Sequence, residues 1–210
     1  MTLLAADFSD AARQAVLDGI DKRARTRGFW TPKLKTADPA SLRLCAPHRV
    51  ALLPLRRMQK EQHLLAAGEA PHSLRYLTHV LGWRFLIVND RQQPIAAAHA
   101  LVNDSGDYQL GELNEGPFVA GTFEAFQKPS VRRAMSKKLD GNPFEEALLL
   151  VAPAIHFAGL WIRFQREQPD FILPLDQRYL PAFDEVEPRK LLSILFEAAS
   201  AVPADSHAAG

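Results

Sequence analysis

The residues best placed to do chemistry in this sequence are His99, Glu112 and Glu115. His99 lies in the alanine-rich stretch Ile95-Ala96-Ala97-Ala98-His99-Ala100-Leu101, and the two glutamates flank or enter the turn Asn114-Glu115-Gly116-Pro117. A carboxylate beside an imidazole fixes its tautomer and raises its pKa, an arrangement suited to general acid–base catalysis. The competing explanation is a structural hydrogen bond, or polar side chains facing water at strand ends. Either way, the groups meet only if the segment with His99 and the segment ending near Glu112 pair as a hairpin.

Other combinations are weaker. Cys45 and His48 could form a thiolate–imidazole nucleophile. At a spacing of three on a strand, however, the two side chains face opposite ways, and a lone cysteine is more commonly a buried apolar residue. His63, His72 and His79 lack the tight spacing that holds zinc on one helix face, and no cysteine pair accompanies them, so no metal or other cofactor is expected. The turn from Glu112 to Gly121 contains no phosphate-cradling pattern, and a hairpin turn accounts for it. Lys128, Arg132, Arg133, Lys137 and Lys138 load one short segment with cations. That face could attract phosphates, but neither aromatic platforms nor a nucleic-acid fold signature accompanies it, so a solvated face is expected rather than a nucleic-acid partner. Trp30, Trp83 and Trp161 are scattered, as core or cover residues would be. No nucleophile-elbow or zinc-protease motif occurs.

The elements that must position these groups are legible in part. Ser9 to Arg27 has helical periodicity in Phe8, Ala12, Val16 and Ile20, with Ser9 as N-cap and Gly28 as stop. Phe29 to Ala40 reads as a loop. Ser41 to Leu55 alternates like a strand, but Pro47 lacks an amide donor, which implies an edge strand or two short pieces. Arg56 to Ala67 fits a short helix, and His72 to Leu81 a further one. Trp83–Val88, Ile95–Val102, Tyr108–Leu113 and Phe118–Phe126 read as four strands of a meander, divided by turn residues. Pro129 to Leu139 reads as a short helix. Glu145–Ala152 is ambiguous between strand and helix, whereas Ile155–Phe164 and Phe171–Leu175 are expected strands. Glu187 to Ala201 is an amphipathic helix with Pro188 in its first turn and Leu191, Leu192, Leu195 and Ala199 on one face.

The whole is therefore expected to be α+β: a mainly antiparallel sheet, a meander of about five to seven strands, covered by amphipathic helices near both ends. Residues 1–202 should form one domain and 203–210 a disordered tail. The other sheet face, or its curve, could hold a pocket lined by Ala96, Ala98 and Ala100. The 210 residues and 47% apolar composition suffice for a real core. The single cysteine fits a reducing, cytoplasmic setting, and the start of the chain has no basic segment before an apolar one. The longest apolar run, Ala147 to Trp161, is interrupted by Pro153 and His156 and is too short for a membrane span. Net charge is +1, which gives no overall pull toward polyanions. The first sixty residues are strongly basic and the remainder acidic, as if the N-terminal part lay against the rest. With no catalytic motif present, the leading expectation is a non-enzymatic accessory or interaction module for a protein partner, a second copy of the chain or a small apolar ligand. The alternatives are an acid–base enzyme at His99 and Glu112, and a weak nucleic-acid binder through Arg132–Lys138.

Overall fold

The computed structural model describes residues 9–26, 28–67, 72–116, 118–136, 144–165 and 168–203. Lys137, Lys138 and residues 204–210, and with them part of the basic segment and the tail, lie outside this set. The chain opens with α1, Asp10–Thr26. Ser9 Oγ accepts a hydrogen bond from the Ala12 amide at 3.2 Å, satisfying one orphan donor of the first turn. Gly28, at φ 67°, ends the helix by donating its N–H to the Arg23 carbonyl. The expected loop that follows contains a short helix, α2, Pro32–Thr36.

Seven strands make one sheet: β1 Arg43–Leu52, β2 His79–Val88, β3 Pro94–Val102, β4 Tyr108–Asn114, β5 Phe144–Ala152, β6 Phe157–Phe164 and β7 Phe171–Pro174. Their spatial order is β4-β3-β2-β1-β5-β6-β7. Every neighbouring pair is antiparallel except β1 and β5. The sheet is thus two meanders side by side. The chain leaves the first at edge strand β4 and returns to the centre through α5, Phe118–Gln127, and α6, Pro129–Ser136. Such a crossover is what a parallel neighbour requires.

Both faces are covered. On one, α1 lies over the first meander, where Ala12, Val16 and Ile20 meet Phe85, Ile87, Ala96, Ala98 and Ala100. On the same face, α3, Leu55–Ala66, and α7, Pro188–Ser200, bury Met58, Leu192 and Leu195 against Leu148, Leu150 and Trp161 of the second. The opposite face is covered by α5 and α6, with Val119, Phe126 and Val131 against Leu86, Ala97, Leu149 and Leu160. A small helix, α4, Leu74–Leu77, leads into β2.

The expected α+β class, with a mainly antiparallel sheet, is what the chain forms. Four local expectations are corrected. Phe118–Phe126 is helix α5 rather than a fourth meander strand: Val119, Thr122, Ala125 and Phe126 are buried at helical spacing, and a helix there can cover the second sheet face. The stretch from His72 to Leu81 is a helix only at α4, and β2 begins at His79. Strand β1 is central despite Pro47. Its register with β2 jumps from Cys45↔Leu86 to His48↔Arg84, a bulge with Ala46 at φ 46° that takes Pro47 out of the hydrogen-bond ladder. Finally, Ala96, Ala98 and Ala100 line no pocket. All three are fully buried beneath α1, since small side chains allow a helix to approach closely.

Candidate functional site

The bulge in β1 has a consequence for side-chain direction. It sets His48 on the sheet face covered by α5, directly across from Arg84 of β2. Arg84 in turn pairs with His99 of β3. In β4 the register slips between Leu110 and Leu113, so Gly111 and Glu112 lie opposite His99. His48, Arg84, His99 and Glu112 therefore form a polar row running across four strands, roofed by Thr122 and Phe126 of α5. Burial falls along the row. His48 is 1% exposed and Arg84 2%, His99 is half-buried, and Glu112 at the sheet edge is exposed.

The hydrogen bonds assign protons. His48 Nδ1 lies 2.7 Å from the Ala46 carbonyl, which can only accept, so Nδ1 carries the proton. Its Nε2 is left with a lone pair, which accepts from Arg84 Nη1 at 3.4 Å. Burial, then the Arg84 charge, push the His48 pKa down to about 3, with the Ala46 bond opposing. His48 is thus a neutral prop, its ring also resting against Phe126 at 5.4 Å between centroids. Thr122 Oγ1 accepts from Arg84 Nη1 at 3.4 Å and spends its own proton on the Phe118 carbonyl.

Arg84 is the anomaly. Its Nε is buried with no partner, and its hydrogen bonds all run from Nη1 and are long. Among the described residues no carboxylate forms an ion pair with it; Glu112 acts on it only at longer range. Burial lowers its pKa to about 10, the Glu112 charge opposing, so the guanidinium remains charged at neutral pH. Buried charges are normally paired, because desolvation costs several kcal/mol per ion. His99 feels the same surroundings. Burial and the Arg84 charge lower its pKa, while the Glu112 charge raises it, leaving a neutral imidazole at pH 7.

Of the residues expected from sequence, His99 and Glu112 are brought side by side, although no hydrogen bond or ion pair joins them. Glu115 is elsewhere. Its carboxylate accepts from the Lys33 and Leu34 amides at 3.0 and 2.8 Å and holds the start of α2. Partial burial raises its pKa, but the Thr31 side chain, these amides and the Lys33 charge outweigh that and lower it. Cys45 makes no bond with His48, and burial pushes its thiol up to about 11, the reverse of an activated nucleophile. His72 instead donates its amide to Glu61, and its Nδ1 lies 2.7 Å from the same carboxylate. Among the described residues no three metal-ligating side chains converge, and no helix is long and apolar enough to cross a membrane. In the basic segment, Lys128 pairs with Glu124 and lies over the Phe183 ring, and Arg132 donates to the Gln127 side chain.

Sequence reasoning missed Arg84 and gave His48 the wrong companion. The available signal was one charge inside Trp83-Arg84-Phe85-Leu86-Ile87-Val88, a run apolar on both faces, where a charge has to be buried. Fold and site together define an α+β protein with a cationic, hydrogen-bond-poor row beneath a crossover helix. The chain matches no protein-family model, and no curated protein or solved structure matches it.

Proposed function

We propose that this chain is a binding module, without catalysis of its own, for a small ligand bearing negative charge held at Arg84. The observation that carries this reading is the buried guanidinium whose Nε has no partner and which no described carboxylate pairs. A buried unsatisfied donor calls for an explanation, and at a charged group that no described carboxylate pairs, a bound anion supplies both the missing acceptor and the counter-charge. The gradient of burial from His48 to Glu112 supports an approach from the β4 edge past His99. The ligand expected from sequence was apolar; the charge at Arg84 favours an anionic one. A protein partner or second copy has as its support the exposed Val80, Leu81, Leu101 and Val102 at one end of the β2–β3 pair. The lone thiol suits a cytoplasmic setting.

A second reading, an acid–base enzyme, rests on the adjacency of His99 and Glu112 with a neutral imidazole between two charges. The two readings part on His99→Ala, which abolishes turnover in the second and only weakens binding in the first. The binding reading is tested by thermal melts with a panel of small organic and inorganic anions against chloride at matched ionic strength. A ligand at about a hundred times its Kd adds ~2.7 kcal/mol, or roughly 5–10 °C in Tm for a chain of this size. A Tm unmoved by every anion would refute it.

A further inference from the structure

The free donors of the row point to a particular head group. Resting on the binding reading above, we infer that the ligand presents a single carboxylate, taken side-on by Nε and Nη2 of Arg84 with His99 at its flank. The guanidinium has two usable edges. Nη1 is turned toward His48 and Thr122, whereas Nε and Nη2 carry no hydrogen bond to any described residue. That pair forms the planar fork that matches the two oxygens of a carboxylate.

The neighbours narrow the choice. His48 offers the site no proton, since Nδ1–H is committed to the Ala46 carbonyl and Nε2 is an acceptor. Thr122 offers none either, its hydroxyl proton being committed to the Phe118 carbonyl. His99 makes no hydrogen bond to a described residue, so its ring N–H is free. A tetrahedral dianion has four oxygens to satisfy and finds only the fork and one imidazole. The charge count agrees. The buried row holds one positive charge, on Arg84, flanked by two neutral imidazoles, while the exposed Glu112 at its mouth repels a second negative charge. One negative charge on two coplanar oxygens is what this arrangement balances.

The experiment uses the full chain with acetate and benzoate as carboxylate probes and inorganic phosphate and sulfate as comparators. Binding is read by calorimetry and by the arginine Nε–H resonance of Arg84 in NMR. Acetate and benzoate should bind and move that resonance, and phosphate and sulfate should not. Arg84→Lys keeps the charge but loses the fork and should weaken carboxylate binding roughly tenfold or more. Arg84→Met should abolish it, with an unchanged amide spectrum away from the row as the check on folding. Phosphate or sulfate binding in preference to carboxylates overturns the head-group assignment while leaving an anion site at Arg84. Carboxylate binding that leaves the Arg84 resonance still, or that Arg84→Lys leaves intact, overturns it too. If none of the four anions binds, the binding reading falls with it.

Discussion

Replacing Arg84 by methionine should make the ligand-free protein more stable, the opposite of what truncating a buried side chain normally does. Arg84 is 2% exposed, and burial, opposed by the Glu112 charge, takes its pKa from the ordinary arginine range down to about 10. A base whose pKa is lowered in the fold is harder to keep protonated there than in the open chain. The penalty is therefore fully present at every pH below about 10, and it disappears only as pH rises through the ordinary arginine pKa of the open chain. At ~1.4 kcal/mol per pH unit it amounts to about 3 kcal/mol. Methionine covers most of the aliphatic stem, so little packing is lost. The substitution also removes the two contacts from Nη1, both at 3.4 Å, and leaves His48 Nε2 without a donor, which together cost about 1 kcal/mol. The balance is a gain of about 2 kcal/mol, which at ~2–4 °C per kcal/mol raises Tm by roughly 4–8 °C. Calorimetric melting at neutral pH in a carboxylate-free buffer measures it. A fall in Tm of the same size would refute the reasoning, because the guanidinium would then be making net-favourable contacts within the fold.

Two further outcomes follow from the same geometry. His48 has a folded-state pKa of about 3 against 6.5 in the open chain, so the open chain binds the extra proton first. Stability conferred by neutral His48 is complete above 6.5 and falls as pH drops toward 3, by ~1.4 kcal/mol per pH unit; urea melts across that range should show a slope shallower by about one proton in His48→Gln. A Cβ on Gly19 would sit 2.4 Å from Leu110 Cβ, the root of a side chain that cannot swing away, so Gly19→Ala should push α1 off β4 and lower stability by about 1 kcal/mol despite the better helix propensity of alanine, as denaturant midpoints will report.

What could be read from the sequence, and what could not, divides by the range of the interaction. The ends of α1 are written in its neighbours, Ser9 and Gly28, and α7 is marked by Pro188 and its leucine stripe; both act within a turn or two of chain. The β2–β3 and β3–β4 hairpins are marked by turn residues and are equally local, which is why His99 and Glu112 were expected together and are found so. Helix α5 was misread because Phe118, Val119, Thr122 and Phe123 are strand formers individually, and a helix packed on a sheet overrides that preference. The period was still there, in Val119, Thr122 and Phe126. Arg84 was invisible for a different reason. Its place beside both imidazoles depends on the strand register, and in β1 that register depends on a one-residue bulge at Ala46; without it His48 would face the other side of the sheet.

The best reason to regard Arg84 as incomplete comes from two other arginines of the same chain, Arg163, partly buried, and Arg75, exposed. Arg163, beside Trp161 in the second meander, donates to Glu146 at 2.8 Å and to Glu145 at 2.7 Å. Arg75 reaches Glu145 at 2.6 Å and Asp170 at 2.9 Å and also takes the Phe164 carbonyl. Asp170 accepts in addition from the Phe164 amide and the Trp161 indole. Where an arginine serves the fold, this sequence supplies carboxylates on facing strands and loops; Arg163 Nε, like Arg84 Nε, is buried without a partner, but the Arg163 charge is met by two carboxylates and the Arg84 charge by none among the described residues. Arg84 is more deeply buried than either, yet the one carboxylate near it, Glu112, is held on the edge strand beyond ion-pair distance, with an imidazole in between. Moving a carboxylate one strand inward, to the position of His99, would close the pair by the cross-strand rule that places His99 there. A neutral imidazole in that position leaves the inner cation open and keeps the anionic residue at the mouth. That arrangement is poor for stability and suits a site that takes its counter-charge from outside.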